Sequence, residues 1–193
     1  MEQQLAYLLW QTNEGPQVSL IASKARVAPL RQTTTPRLEL MAALIASRLA
    51  NTIYKEFKVK LEVVMLWSDS KIVLHWLRSD SASLKAFVGV RVAEIQSTWD
   101  SKCWNFVPTQ LNPADDLSRG LTVNDMRGRW MNGPAFLRKP KDEWPHAGAS
   151  QHRSTSTSRR PRKKEGKVYW YYQSQSTAGR AFNVFQLATT NYE

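Results

Sequence analysis

The sequence predicts an α/β domain, a sheet flanked by helices, and three observations carry that prediction. Residues 62–77, EVVMLWSDSKIVLHWL, begin as an apolar, β-branched run of strand length. They continue, after the turn Ser68-Asp69-Ser70, with Ile72, Val73, Trp76 and Leu77 at helical spacing. Ahead of this unit, Leu5 to Trp10 and Val18 to Val27 read as two strands joined by the turn Asn13-Glu14-Gly15-Pro16, a hairpin. Between hairpin and unit, Leu38 to about Ile53 is apolar nearly all round, the pattern of a helix pressed against a sheet.

The chain has 193 residues, enough for one domain with a real core plus appendages, and its eight Trp and 42% hydrophobic content suit a packed interior. Net charge is +11 and unevenly spread: residues 1–145 carry 19 Lys/Arg against 14 Asp/Glu, residues 146–193 carry 8 against 2. Such a surplus favours polyanionic partners, nucleic acid first, because each neutralised phosphate releases counterions. The single cysteine, Cys103, excludes an internal disulfide and a cysteine-based zinc cluster, and reads as a small buried apolar residue. His75, His146 and His152 add no zinc-ligand spacing. The opening MEQQ is not the basic start of a signal peptide, and no apolar run reaches bilayer length. These features predict an intracellular protein, cytoplasmic or nuclear, with no membrane partner.

The elements follow in order. Thr33-Thr34-Thr35-Pro36 reads as a helix start, with Thr35 as cap and Pro36 at the first helical position. Glu39 then falls in the first turn, where interaction with the helix dipole accounts for a carboxylate. On a helical wheel it lies beside Ala43, Ala46 and Ala50, which predicts open space next to the charge. Val63 to Trp67 is a strand buried on both faces, and an acid at its carboxyl end stands where open α/β sheets place ligands. Ser68, Asp69 or Ser70 would each serve equally as an ordinary N-cap of the next helix. After a polar break at Ser79 to Ser83, residues Phe87, Val88, Val92, Ile95 and Trp99 mark another helix, and Trp104 to Val107 a short strand. Asn112 caps a further helix start with Pro113 behind it, placing Asp115 and Asp116 in a first turn. Residues 128–145 read as an irregular linker after a domain spanning 1–127. From His146 the composition turns to Ser, Arg and Lys, which predicts a disordered basic tail over 146–193. Its basic run followed by VYWYY (168–172) is either a solvated extension or a grip for single-stranded nucleic acid.

Glu39, Asp69 and Asp115 stand out together, each at or near a helix start. Carboxylates gathered at one end of a sheet repel each other unless a divalent cation lies between them, and hard oxygen ligands suit Mg²⁺ or Mn²⁺. A paired-metal site of this kind activates water and stabilises the leaving oxygen in phosphodiester cleavage. Spacing in the sequence does not establish that the three converge.

The segments ARVAPLRQTTTPRLELMAALIASRLA, LWSDSKIVLHWL, FVGVRVAEIQ and NFVPTQLNPADDLSRGL together resemble the ribonuclease H-like region of Pao/BEL-type LTR retrotransposon polyproteins. RWMNGPAFLRKPKDEWP resembles the segment that leads from this domain toward the integrase. The resemblance runs from about Leu5 to Pro145, and nothing matches from His146 onward. It implies a ribonuclease H-like mixed sheet flanked by helices, with an ancestral activity of metal-dependent hydrolysis of RNA in RNA·DNA hybrids. In an intact element the partners would be nucleic acid and the reverse transcriptase and integrase regions of the same polyprotein. The family carries four carboxylates, usually Asp, Glu, Asp, Asp. By resemblance Glu39 in PRLEL is the second, Asp69 in WSDS the third and Asp115 in NPAD the fourth, with Asp116 the alternative to Asp115. These three are the expected catalytic residues and ligands of a two-metal Mg²⁺ or Mn²⁺ site. The family's first Asp belongs to an opening strand ahead of the tyrosine that Tyr7 matches. This chain is expected to be truncated before that strand, and Glu2 falls in the wrong place to substitute. In the family fold that strand lies mid-sheet, between the second strand and the Asp69 strand, so its loss would leave two unpaired edges face to face. The resemblance therefore implies a domain fragment, inactive as it stands. The rivals are a non-catalytic nucleic-acid-binding remnant and a fragment with no independent role.

Overall fold

The structure, a computed structural model, describes residues 2–27, 33–58, 61–119, 126–145 and 181–189. The chain opens with the expected hairpin, β1 (Glu2–Thr12) and β2 (Gly15–Arg26), antiparallel from Thr12↔Gly15 to Glu2↔Arg26 with a bulge at Ala6/Tyr7. Gly15 turns the hairpin with φ +113, a conformation that glycine adopts without a Cβ clash. Helix α1 (Thr35–Glu56) follows, capped at Thr34, one residue before the expected cap. The strand–turn–helix unit becomes β3 (Val64–Ser68) and α2 (Lys71–Arg78). Helix α3 (Ala86–Thr98) and strand β4 (Trp104–Phe106) complete the elements read from the sequence. No helix among the described residues is long and apolar enough to cross a membrane.

A strand absent from the sequence reading lies in the middle of the sheet. Residues Ala181–Thr189 form β5, and the strand order is β2-β1-β5-β3-β4. β5 runs antiparallel to β1, from Trp10↔Ala181 to Glu2↔Thr189. It runs parallel to β3, from Val64↔Asn183 to Trp67↔Gln186, and β3 is in turn parallel to β4. The sheet is mixed and flanked by helices, as expected of a ribonuclease H-like fold, and the place between β1 and β3 is held by β5. The physical reason is the edge problem itself: β1 and β3 each offer a row of amides and carbonyls, and an extended segment satisfies both rows at once. Residues 181–189, AFNVFQLAT, are uncharged and contain Phe, Val and Leu, so they suit the place. The expectation of a disordered tail thus differs from the structure over 181–189. Residues 146–180, with VYWYY, and 190–193 lie outside the described residues.

Alternation along the strands divides the apolar side chains between two cores. Ala6 and Leu66 face α1, α2 and α3, joining Leu40, Ala43, Leu44, Val73, Leu77, Val92 and Ile95. Ala43, Ala46 and Ala50 are each at most 1% exposed in this core, so the space expected beside Glu39 is filled. Small residues there bring α1 close to the sheet. Leu5, Tyr7, Leu9 and Trp67 face the other way and are covered by Trp130, Phe136, Leu137 and Trp144. Residues 128–145 are irregular, as read, and built of short helical turns. They also cover the second face of the sheet, so packing continues across the boundary expected at 127. Cys103 is partly buried and unpaired.

Candidate functional site

Asp69 follows the carboxyl end of β3, where the charges of Glu39 and Asp115 bear on it. Burial of the chain at this end comes from α1 on one face and the segment 112–116 on the other. Ser70, not Asp69, is the N-cap of α2: its Oγ accepts from the Val73 amide at 3.2 Å. The same hydroxyl donates to Glu39 Oε2 at 2.5 Å, and the Ser70 amide donates to Ser68 Oγ at 3.1 Å. Capping is therefore done next door, and Asp69 is left with its carboxylate directed to other partners.

Glu39 is partly buried on α1. Thr34 starts that helix, so its first turn holds no acid, and the dipole account has little purchase on Glu39. Burial pushes the Glu39 carboxyl up, and the hydrogen bond from Ser70 opposes that shift. Asp69 feels the site most strongly. Its carboxyl is pushed up to about 6, first by burial and further by the charges of Glu39 and Asp115. A backbone amide and the Asn112 side chain hydrogen-bond to it and pull the other way. The negative charges of Glu39 and Asp115 thus both bear on Asp69.

Asp115 is 8% exposed, in the 3-10 segment Pro113–Arg119 that the sequence reading took as a helix start. Asn112 caps it as expected, its Oδ1 accepting from the Ala114 amide at 3.2 Å, while its carbonyl accepts from the Asp115 amide. Asn112 is fully buried and so ties the Asp115 segment to Asp69 as well as capping it. Asp116 is engaged elsewhere. Arg129 Nε donates to its Oδ2 at 2.6 Å, Arg129 Nη2 pairs with its Oδ1, and Arg129 Nη1 reaches the Gln110 carbonyl. An aspartate held by a guanidinium on both oxygens is a structural latch. Beneath it the buried Tyr7 hydroxyl donates to the Trp130 carbonyl at 2.7 Å.

Sequence reasoning missed the link of Ser70 to Glu39, the link of Asn112 to Asp69, and the Arg129 latch. Only Asn112 gave a signal, as a cap. The other two contacts join residues 31 and 13 positions apart, which no local pattern reports.

A half-buried aspartate whose ionisation is made costlier by two neighbouring carboxylates is the donor chemistry of a hard divalent cation. Among the described residues, however, no three or more His, Cys, Asp or Glu side chains are gathered closely enough to hold a metal ion. A fourth acid is also lacking at the point where the sheet offers one. Continuing the Trp67↔Gln186 register by two residues sets Ala188 of β5 level with Asp69. The strand AFNVFQLAT contains no acid.

No curated protein and no solved structure matches the chain. A family model described as the Pao retrotransposon-like RNaseH-like domain matches residues 3–70, from β1 to the cap of α2. That stretch includes Glu39, Asp69 and Ser70 and stops short of Asp115. Over residues 3–70 the chain is therefore similar to the Pao-type ribonuclease H-like domains of retrotransposons.

Proposed function

We propose that this domain descends from a metal-dependent nuclease acting on RNA in RNA·DNA hybrids, and that Glu39, Asp69 and Asp115 are what remains of its catalytic set. The observation that carries the reading is the division of labour at the end of β3. Ser70 caps α2 and holds Glu39, so Asp69 stands partly buried under the charges of Glu39 and Asp115 with no capping role to explain it. With an acid restored level with Asp69 on the central strand, their oxygens would hold Mg²⁺ or Mn²⁺, which when bound supplies charge neutralisation and an activated water. Ser70 orients Glu39, Asn112 orients Asp69, and Arg129 keeps Asp116 out of the set. With no acid on β5, the chain as it stands is expected to be a poor nuclease or none.

The test restores the missing charge. In the full chain, Ala188→Asp should confer Mg²⁺- or Mn²⁺-dependent cleavage of a labelled RNA·DNA hybrid above the unmodified protein, and Ala188→Asp with Asp69→Asn should lose it. If Ala188→Asp yields neither cleavage nor calorimetrically detectable cation binding, the site assignment fails.

A second reading, a non-catalytic nucleic-acid-binding domain, is favoured by a particular surface. The guanidiniums of Arg37, in the first turn of α1, and Arg91, in the middle of α3, lie over the Phe87 ring, at 4.9 and 3.6 Å from its centroid. A ring shared by two cations, in a chain of net charge +11, suits a phosphate backbone. Binding to a hybrid that survives Asp69→Asn and falls on Arg37→Ala would support it.

A further inference from the structure

The acids of the candidate site stand on unequal supports. Asp69 follows a strand and Glu39 stands on the 22-residue α1, whereas Asp115 stands on Pro113–Arg119, a 3-10 segment of seven residues. The hydrogen bonds of such turns are poorly aligned and runs beyond about four residues are uncommon, so this one needs support from outside. One side chain supplies it. Arg129 Nη1 donates to the Gln110 carbonyl at 2.5 Å, ahead of Asn112 and Asp115. Arg129 Nε donates to Asp116 Oδ2 at 2.6 Å and Nη2 pairs with Asp116 Oδ1, just past Asp115. A single planar guanidinium thus bridges 110 and 116, and the two residues that bear on Asp69 lie between its grips.

The arginine is itself held in place. Its side chain is 39% exposed, but the backbone is fixed on both sides of it. Ahead of it, Asn132 Nδ2 donates to the carbonyls of Arg127 at 2.8 Å and Gly128 at 3.0 Å. Behind it, the Trp130 carbonyl accepts the Tyr7 hydroxyl in a buried bond to β1. Gly133 follows at φ +74, and a β carbon there would meet Val18 Cγ1 at 2.7 Å, so the chain is pressed against the hairpin as it leaves. The guanidinium is therefore presented from the sheet and not from a loose end.

We propose that Arg129 is the positioning residue for Asn112 and Asp115, clamping both ends of their segment, and that Met126–Trp130 is part of the site and not a linker beyond it. The proposal rests on the reading of Asp69 and Asp115 as members of one set. A chain ended at residue 127 would keep Glu39, Asp69 and Asp115 and lose the hold on the last of them. The fork of donors matters here as well as the charge. Lysine brings the same charge as a single point and cannot serve a carbonyl and both carboxylate oxygens in one plane.

Amide exchange in the full chain, followed residue by residue by NMR without metal or substrate, tests the clamp. The amides of Ala114 and Asp115 donate to Asn112, one to its Oδ1 and one to its carbonyl, and report the segment. The Val73 amide, bonded to Ser70 Oγ, reports the neighbouring cap. Arg129→Gln should speed exchange at Ala114 and Asp115 about tenfold or more and leave Val73 unchanged. Arg129→Lys should resemble Arg129→Gln. Asp116→Asn should act in the same direction, and adding it to Arg129→Gln should change little, because both remove one link. Asp116→Asn also keeps the test available if Arg129→Gln does not fold. Exchange in Arg129→Lys equal to that of the unmodified chain would overturn the proposal, since charge alone would then suffice. Equal acceleration at Val73 would overturn it too, as a general loss of stability, and so would additive effects of the two substitutions. With no metal present, the result is independent of the Ala188→Asp experiment, which tests the set of acids itself.

Discussion

Asp69→Asn should make the folded protein more stable at neutral pH while removing a residue of the candidate site. The cause is the environment of the carboxyl, lifted from its ordinary 3.8 to about 6 by burial and by Glu39 and Asp115. Between those two values the folded chain holds a proton that the unfolded chain has released. The contribution of Asp69 is therefore least costly below about pH 4, worsens as pH rises through the window, and is at its full cost above about pH 6. Lifting a carboxyl that far corresponds to on the order of 3 kcal/mol, a ceiling, because a partly exposed group keeps some of its water. For a domain of this size that is a rise of roughly 6–12 °C in midpoint. Asn keeps the hydrogen bond from Asn112, since its carbonyl accepts as the carboxylate does. Thermal or urea denaturation of both proteins at pH 4, 5, 6 and 7 measures the effect. The curves should coincide at pH 4 and diverge up to pH 6. Added Mg²⁺ should stabilise the unmodified chain and leave the variant little changed, because the cation relieves a repulsion that Asn lacks. A variant that is neutral or less stable at pH 7 would refute the reasoning and make Asp69 a structural group.

Other substitutions separate structure from chemistry in the same way. Ser70→Ala should lower stability by about 1 kcal/mol through the lost cap of α2, and should weaken cation binding by freeing Glu39; denaturation and calorimetry read the two effects. Gly89→Ala should destabilise despite the better helix propensity of Ala, because a β carbon there meets the Ser81 carbonyl at 2.6 Å; a thermal scan showing a raised midpoint would contradict it. Hybrid binding should be salt-sensitive with little sequence preference, and replacing the Arg and Lys residues of 153–167 by Gln, which leaves β5 in place, should flatten the salt slope; an affinity unchanged by salt would exclude the electrostatic account. Trypsin should cut the Arg- and Lys-bearing stretch 153–180, and β5 should stay associated with the nicked core through its pairing to β1 and β3. Immediate loss of the 181–193 fragment on gel filtration would show that the strand is not held.

Local periodicity made most of the fold legible. The hairpin, α1, β3, α2, α3 and β4 lie within a few residues of where their patterns place them, since each announces its buried face through spacing alone. The site was legible at its acids and not at their supports. Ser70 reads equally as a cap for its own helix or as nothing more, and its bond to Glu39 depends on where α1 is laid across the sheet. Arg129 lies in GRW, a run with no pattern of its own, and its latch on Asp116 joins residues 13 positions apart. β5 escaped for a different reason. Averaged over residues 146–193, the Ser, Arg and Lys of the first half mask nine uncharged residues near the end. A window of strand length would have found AFNVFQLAT.

The placement of β5 also explains how fold and chemistry part company in this chain. A sheet asks of its central strand a set of backbone donors and acceptors at the right spacing, and nearly any uncharged extended segment of sufficient length meets that demand. A metal site asks for a particular carboxylate at a particular register position, and a nine-residue segment meets that demand only if it holds an acid there. AFNVFQLAT satisfies the first requirement along both neighbours and the second at none of its positions. A single substitution, Ala188→Asp, places a carboxylate level with Asp69. Ionised, it would repel Asp69 and call for a cation. Its stability should therefore fall from pH 4 to pH 7 in the absence of Mg²⁺ and recover when Mg²⁺ is added. A fall with pH no steeper than that of the unmodified chain, which already carries the Asp69 contribution, would mean that position 188 does not face the carboxylates at all.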